Sequence, residues 1–267
     1  MSILPIKVRE LAAWGFDNYP YRPAHVQTID RGLQMFRSEF AQPAVIAGTE
    51  WDRLRTTMQS ELGRPDLLRE MDGLDWSLDV ICLRNLVAFQ RRLSFDPARE
   101  ALPTLVGRKE DELLACAFGV APTPILESRM EDPRTLVVRS KNPTVQIALS
   151  SAAACATVTT GSPFVEVAEF RGRWFLRDGY HRCYQLLQRG LDTVPALIVR
   201  ARSLDELGAV LPKFFSEEVL FSERPPMLID FLNDDLTVTY CRPRLIKVLR
   251  MTVEEHYEPE AEPGDLK

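Results

Sequence analysis

Between Arg177 and Arg182 the chain reads Arg-Asp-Gly-Tyr-His-Arg, and five of these six side chains can carry a charge or pass on a proton. Guanidiniums donate charge-assisted hydrogen bonds to phosphate oxygens, and a carboxylate or imidazole beside them can act as general base. Arg177, Gly179, Tyr180, His181 and Arg182 are therefore the candidate phosphate contacts, with Asp178 and His181 the candidate catalytic pair. Cations are disfavoured at the positive end of a helix dipole by roughly 0.3–1 kcal/mol each. His181 and Arg182 stand where a helix is expected to begin, so something negative has to compensate them, and a bound phosphate would do so. The structural alternative makes Asp178 a helix N-cap, Gly179 a turn residue and His181 a surface or core histidine.

The flanking elements define what must hold these residues. "WFLRDGYHRCYQLLQRGLDTVPALIV" reads as a strand, a glycine turn, a short helix ending at Gly190, and a second strand entered at Pro195. A glycine at a strand–helix junction admits a close ligand, and the N–H groups of the first helical turn favour an anion. Arg171, Arg173, Arg177 and Arg182 face one acid, Asp178, across this stretch, forming a basic island in an acidic chain.

The wider pattern predicts an α+β fold with a mainly helical region over 1–130 and a sheet-bearing domain over 131–255. In the first region "GTEWDRLRTTMQSELG" predicts a helix capped by Thr49, with Asp52 at the capping-box position and Trp51, Leu54, Met58 and Leu62 on one face. "LRNLVAFQRRL" and "RKEDELLACAFG" predict two more, and the three prolines of "VAPTPILESRMEDP" mark a boundary. Beyond it "TLVVRS", "TVQIALSS", "FVEVAEF", "RWFLRD", "VPALIVRA", "LTVTYCRP" and "LIKVLRMTV" predict strands, with a hairpin around Gly172. "SLDELGAVLPKFF" predicts a helix capped by Ser203 with Glu206 at its third position. Residues 256–267, acidic and proline-bearing, read as a disordered tail.

With 267 residues, 45% of them hydrophobic, the chain can bury a substantial core, while its net charge of −5 argues against broad DNA binding. No apolar run spans a membrane and no secretory signal is visible, which predicts a cytoplasmic protein. The five cysteines, Cys82, Cys116, Cys155, Cys183 and Cys241, never form a Cys-x-x-Cys pair and are expected reduced and mostly buried. None of the three histidines has a second ligand at zinc-like spacing, so no structural metal is expected.

The span from Phe164 to Ala201 resembles the core of the ParB/sulfiredoxin superfamily. The matching residues are Asp178, Gly179, Tyr180, His181 and Arg182, then Gly190, Val194, Pro195, Leu197, Ile198 and Val199. The resemblance implies a mixed sheet with short helices, and a loop that binds nucleotide phosphates. It also implies a nucleoside triphosphate (ATP or CTP) and Mg2+ as cofactors, with Asp178 as general base or magnesium contact. Sulfiredoxins carry a cysteine immediately before the loop histidine, where this chain has Tyr180. ParB proteins have Glu-Arg-Arg after the glycine and a following helix-turn-helix. The kinase-like branch, with Asp-Gly-His-His-Arg, is most similar.

The resulting expectation is a nucleotide-binding protein, either an NTP hydrolase or a phosphotransferase, with a non-catalytic nucleotide-responsive switch or protein-interaction module as the alternative. A protein partner or homo-oligomer fits either reading. Glu166 and Glu169 fall on opposite faces of one expected strand, so at most one can join Asp178, and exposure is the default for both. Trp174 reads as core rather than as a base-stacking platform. Arg242 and Arg244 on one strand face, with Lys247 on the other, read as charged guards of a sheet edge.

Overall fold

The structure, a computed structural model, describes residues 5–29, 43–96, 110–120, 125–142, 145–150, 155–159, 161–208 and 214–257. Its fold is α+β. Along the chain lie β1 (Ile6–Leu11), α1 (Asp52–Met58), α2 (Pro65–Glu70), β2 (Trp76–Cys82), β3 (Val87–Ala88), β4 (Arg92–Phe95) and α3 (Glu110–Ala117). Then come β5 (Leu126–Asp132), β6 (Thr135–Ser140), β7 (Gln146–Ser150), β8 (Cys155–Thr159), β9 (Glu166–Phe170) and β10 (Arg173–Asp178). The described elements end with α4 (Tyr180–Gln188), β11 (Thr193–Arg200), α5 (Leu204–Leu207), α6 (Glu217–Leu220), β12 (Thr237–Arg242) and β13 (Lys247–Thr252).

The chain divides into two compact units, and the division is not the expected one at residue 130. One unit joins Met1–Ala121 to Ser162–Arg244, and the other joins Pro122–Gly161 to Leu245–Lys267. The proline-rich segment does mark a crossing between units, but among the described residues before it strands β1 to β4 lie beside the helices. In the smaller unit β6 pairs antiparallel with β5 and β13, and β7 pairs antiparallel with β8.

Among the described residues the larger unit contains two sheets. One runs β12-β1-β4, and the other runs β2-β11-β9-β10-β3 with β9 at its centre. β11 and β9 are parallel, β9 and β10 antiparallel, and β10 and β3 parallel. A parallel pair needs a crossover, and α4 supplies part of the connection from β9–β10 to β11. The hairpin between β9 and β10 turns at Arg171 and Gly172, both with positive φ, as the glycine there predicts.

The largest departure concerns "LRNLVAFQRRL", which does not form a helix. Leu83, Leu86, Val87, Ala88, Phe89 and Leu93 are all buried, and the segment forms a 3-10 turn at Leu83–Asn85, then β3 and β4. A short run that is apolar on every side does not distinguish a buried helix from buried strand. Thr49 begins a 3-10 turn after Gly48 and makes no capping bond, although Leu54 and Met58 are buried on the expected face of α1. Ser203 does cap α5, its hydroxyl accepting from the Glu206 N–H. The rest of that expected helix, 209–213, lies outside the described residues, as does the tail from 258 onward. Arg242 ends β12, whereas Lys247 begins β13 in the other unit, so the three cations do not share a strand. Arg242 donates to Ser94 Oγ, and Arg244 pairs with Asp96 at 2.6 Å.

β1 carries Glu10 fully into the interior. There it is paired with Arg22 at 2.7 Å and Arg92 at 2.8 Å, and it accepts from Tyr240 Oη at 2.8 Å. A buried carboxylate is tolerated only with such full pairing, and this one ties β1 to both neighbouring strands.

A candidate acid–base site at the end of β10

β9 and β10 pair regularly up to Val167 opposite Leu176, and then Asp178, not Arg177, stands opposite Glu166. Arg177 is the extra residue of a β-bulge, a device that re-aims side chains at a strand end. The bulge brings Arg177 and Asp178 together on Glu166: Arg177 Nη1 lies 3.1 Å from Glu166 Oε2. Glu166 is only 5% exposed although it lies on the central strand, and its Oε1 is buried without a hydrogen-bond partner. Ser162 and Glu70, at the end of α2, stand beside it, and Glu70 is exposed. The carboxyls thus run from the interior to solvent: Glu166 buried, Asp178 half-buried and Glu70 exposed.

Burial pushes the Glu166 carboxyl up to about 7, against the opposing pull of Arg177 and with Glu70 adding to the rise. Burial likewise raises Asp178 to about 6, reinforced by the neighbouring Glu166 charge. Glu70 is raised as well, first by desolvation. Carboxyls displaced toward neutrality exchange protons at working pH, as a general acid or base must.

The remaining loop residues are occupied by the protein itself. Gly179 has φ 90°, and a Cβ there would lie 3.0 Å from Val165 Cγ2 and 3.2 Å from Val165 Cα, so the glycine is needed against the residue that leads into β9. Asp178 Oδ1 accepts from the Gly179 N–H at 2.5 Å, while the N-cap of α4 is Gly179, so Asp178 is not the cap. The buried Tyr180 hydroxyl accepts from the Phe89 N–H at 3.0 Å and the Gln90 N–H at 3.2 Å. His181 lies edge-on to Phe95, and burial, then Arg182, lowers it to about 4, leaving it neutral at pH 7.

Arg182 answers the question of what compensates a cation at the start of α4. Its Nη1 donates to the Cys116 carbonyl at 2.9 Å and to that of Pro163, and its Nη2 donates to the Phe164 carbonyl at 2.6 Å. Cys116 lies in the last turn of α3, whose carbonyls lack intrahelical partners and form the negative end of that helix dipole. Arg64 caps the same end through the Phe118 and Gly119 carbonyls, at 2.8 and 2.9 Å. The compensating charge is therefore the C-terminus of a second helix.

Of the expected phosphate contacts, Tyr180 and Arg182 are thus committed to backbone groups, and Arg177 is committed to Glu166. Sequence reasoning weighed Glu166 with exposure as its default and missed Glu70 and Ser162. Glu70 carries no local signal, being brought in from a different helix. Glu169 stands opposite Trp174 and Arg200, three residues from Glu166, and takes no part in the cluster. Trp174 is partly buried against the core, as expected. Cys183 and Cys116 are buried with thiols raised by burial, whereas Cys82 is half-buried and Cys241 exposed.

Among the described residues no group of three or more His, Cys, Asp or Glu could hold a metal ion, and Arg177 already supplies the cation beside Glu166. No described helix is long and apolar enough to cross a membrane. Comparison with protein-family models, curated proteins and solved structures returns no match to this chain.

Proposed function

We propose that the protein is an acid–base enzyme, a nucleotide hydrolase or phosphotransferase, in which Asp178 takes the proton of the attacking water or hydroxyl and Glu166 exchanges protons with it. The observation that carries this reading is the bulge-built pair, with Glu166 raised to about 7 and Asp178 to about 6 beside Arg177. At pH 7 Asp178 is mostly ionised and able to accept a proton, while Glu166 is near its midpoint and able to give one. Arg177 keeps a cation at the mouth of the cluster, where developing negative charge would be stabilised. Nucleotide as the substrate class rests on the resemblance of Phe164–Ala201. Magnesium enters only as part of a magnesium–nucleotide substrate.

The test is phosphate release, or transfer to added acceptors, from ATP, CTP, GTP and UTP with and without magnesium. Asp178→Asn keeps the side-chain shape and loses the base, so turnover falls roughly 10²-fold or more while thermal stability is retained. Equal turnover in the variant refutes the assignment of Asp178.

A non-catalytic switch is the second reading, and one observation favours it. Through Tyr180 and Arg182 the loop is wired to Phe89–Gln90, to the end of α3 and to the lead-in of β9. A ligand that shifted the loop would therefore be felt on three other segments. Nucleotide binding with no turnover under any metal would select this reading.

A further inference from the structure

The smaller unit keeps an open sheet edge. β6 lies between β13 and β5, and among the described residues no strand pairs with the other side of β5. Glu127 through Asp132 are all exposed, on both faces of the strand, and the apolar Met130 is 57% exposed. Among the described residues neither Glu127 nor Arg129 is in an ion pair. An unpaired edge presents a row of N–H and C=O groups that a further strand can meet, and native edges are usually blunted by proline, lysine or a bulge. Here the bulge lies at the far end, between Met130 and Asp132, where Glu131 pairs with Arg250. Before it, Leu126–Met130 stay in regular register with Ser140–Leu136.

We infer that β5 pairs antiparallel with β5 of a second copy of this chain, joining two three-stranded sheets into one. Backbone groups alternate sides along a strand, so two identical edges mesh only in a register centred on a residue. Centring on Glu127 or Arg129 sets each against its own copy, like charge on like, and centring on Met130 runs into the bulge. Centring on Ser128 sets Glu127 opposite the partner's Arg129, twice by symmetry, and Leu126 opposite the partner's Met130 on the other face. Met251, Leu136 and Met130 already lie in one row across the sheet, and the partner's Leu126 extends that row beside the exposed Met130. β13, the other edge, carries the cations Lys247 and Arg250 and no acid, so it has no such self-complementary register. A ladder limited to Leu126–Met130 is short, and the dimer is therefore reversible and concentration-dependent. The edge belongs to the smaller unit and the carboxyl cluster to the larger, so the inference does not rest on the acid–base reading.

The experiment is sedimentation velocity of the whole chain from micromolar to near-millimolar concentration, for the wild type, Glu127→Arg, Arg129→Glu and the double exchange Glu127→Arg/Arg129→Glu. Both side chains are exposed, and a thermal midpoint unchanged from wild type shows each variant folded. The expected result is a monomer–dimer equilibrium in the wild type. Each single change sets like charges together at both symmetry-related positions and should weaken the dimer about tenfold or more, whereas the double exchange restores opposite charges and should return it to within about threefold of wild type. Glu127→Arg mixed with Arg129→Glu should form a heterodimer more tightly than either variant pairs with itself, because the two chains then meet with opposite charges. A wild-type chain that stays monomeric at every concentration overturns the inference. So does a dimer indifferent to both single changes, or one that the double exchange fails to recover. Growth past the dimer into open chains overturns it in favour of β5 pairing with β13 of the next copy.

Discussion

Replacing Arg182 separates a structural cation from a ligand-binding one. Hydrogen bonds to a charged group contribute about 1.5–3 kcal/mol each, and Arg182 makes three, at Cys116, Pro163 and Phe164. They share one guanidinium and are not additive, and water can reach the half-buried Pro163. Arg182→Ala is therefore expected to cost about 3–5 kcal/mol, the range for breaking a buried charged contact. Arg182→Lys, which keeps the charge but not the planar fork, should recover part of that. Urea unfolding followed by tryptophan fluorescence measures it: at a slope of about 2–3 kcal/mol/M, the Ala midpoint drops by roughly 1–2.5 M. An Ala variant with an unshifted midpoint and abolished nucleotide binding would refute the reasoning and return Arg182 to the ligand.

Two further outcomes follow from the same junction. Asp178 and Glu166 hold their protons more tightly in the folded than in the unfolded chain, so their contribution to stability is lost as pH rises from about 4 to about 7. His181, lowered to about 4, works in the opposite sense, costing stability as pH falls through about 6.5 toward 4. Equilibrium unfolding across pH 4–8 should show Asp178→Asn flattening the decline and His181→Gln steepening it; identical slopes would mean that these groups are not perturbed. Gly179→Ala forces a Cβ to 3.0 Å from Val165 at φ 90° and should cost about 2 kcal/mol or more, read as a lowered thermal midpoint. A neutral result there would show that the junction relaxes freely.

How much of this was legible in the sequence depended on the range of the signal. Asp178-Gly179 announced a strand–helix junction, and Gly172 a hairpin, because both are local φ requirements. Strand runs such as "VPALIV" declared themselves by β-branched content. The bulge at Arg177 was not legible, since an extra residue in a ladder leaves no mark on the residues that form it. Glu70 and the Cys116 carbonyl reach the site only through tertiary packing, so the cation at the start of α4 suggested a ligand where the fold supplies a helix end. "LRNLVAFQRRL" failed for a different reason, its apolar positions being buried on all sides.

The placement of β1 carries a consequence for how the chain is made. Tyr240 and Glu10, joined by a hydrogen bond, are 230 residues apart in sequence. At a synthesis rate of about 5–20 residues per second, β1 waits roughly 10–45 s for β12 to leave the ribosome. Until then Glu10 can reach Arg22 and Arg92 but not Tyr240, and one edge of β1 stays open. The nascent larger unit must therefore keep a half-made sheet soluble while the whole of Pro122–Gly161 is synthesised and set aside. Closure of that sheet waits for β12, whose Tyr240 follows Glu10 by 230 residues.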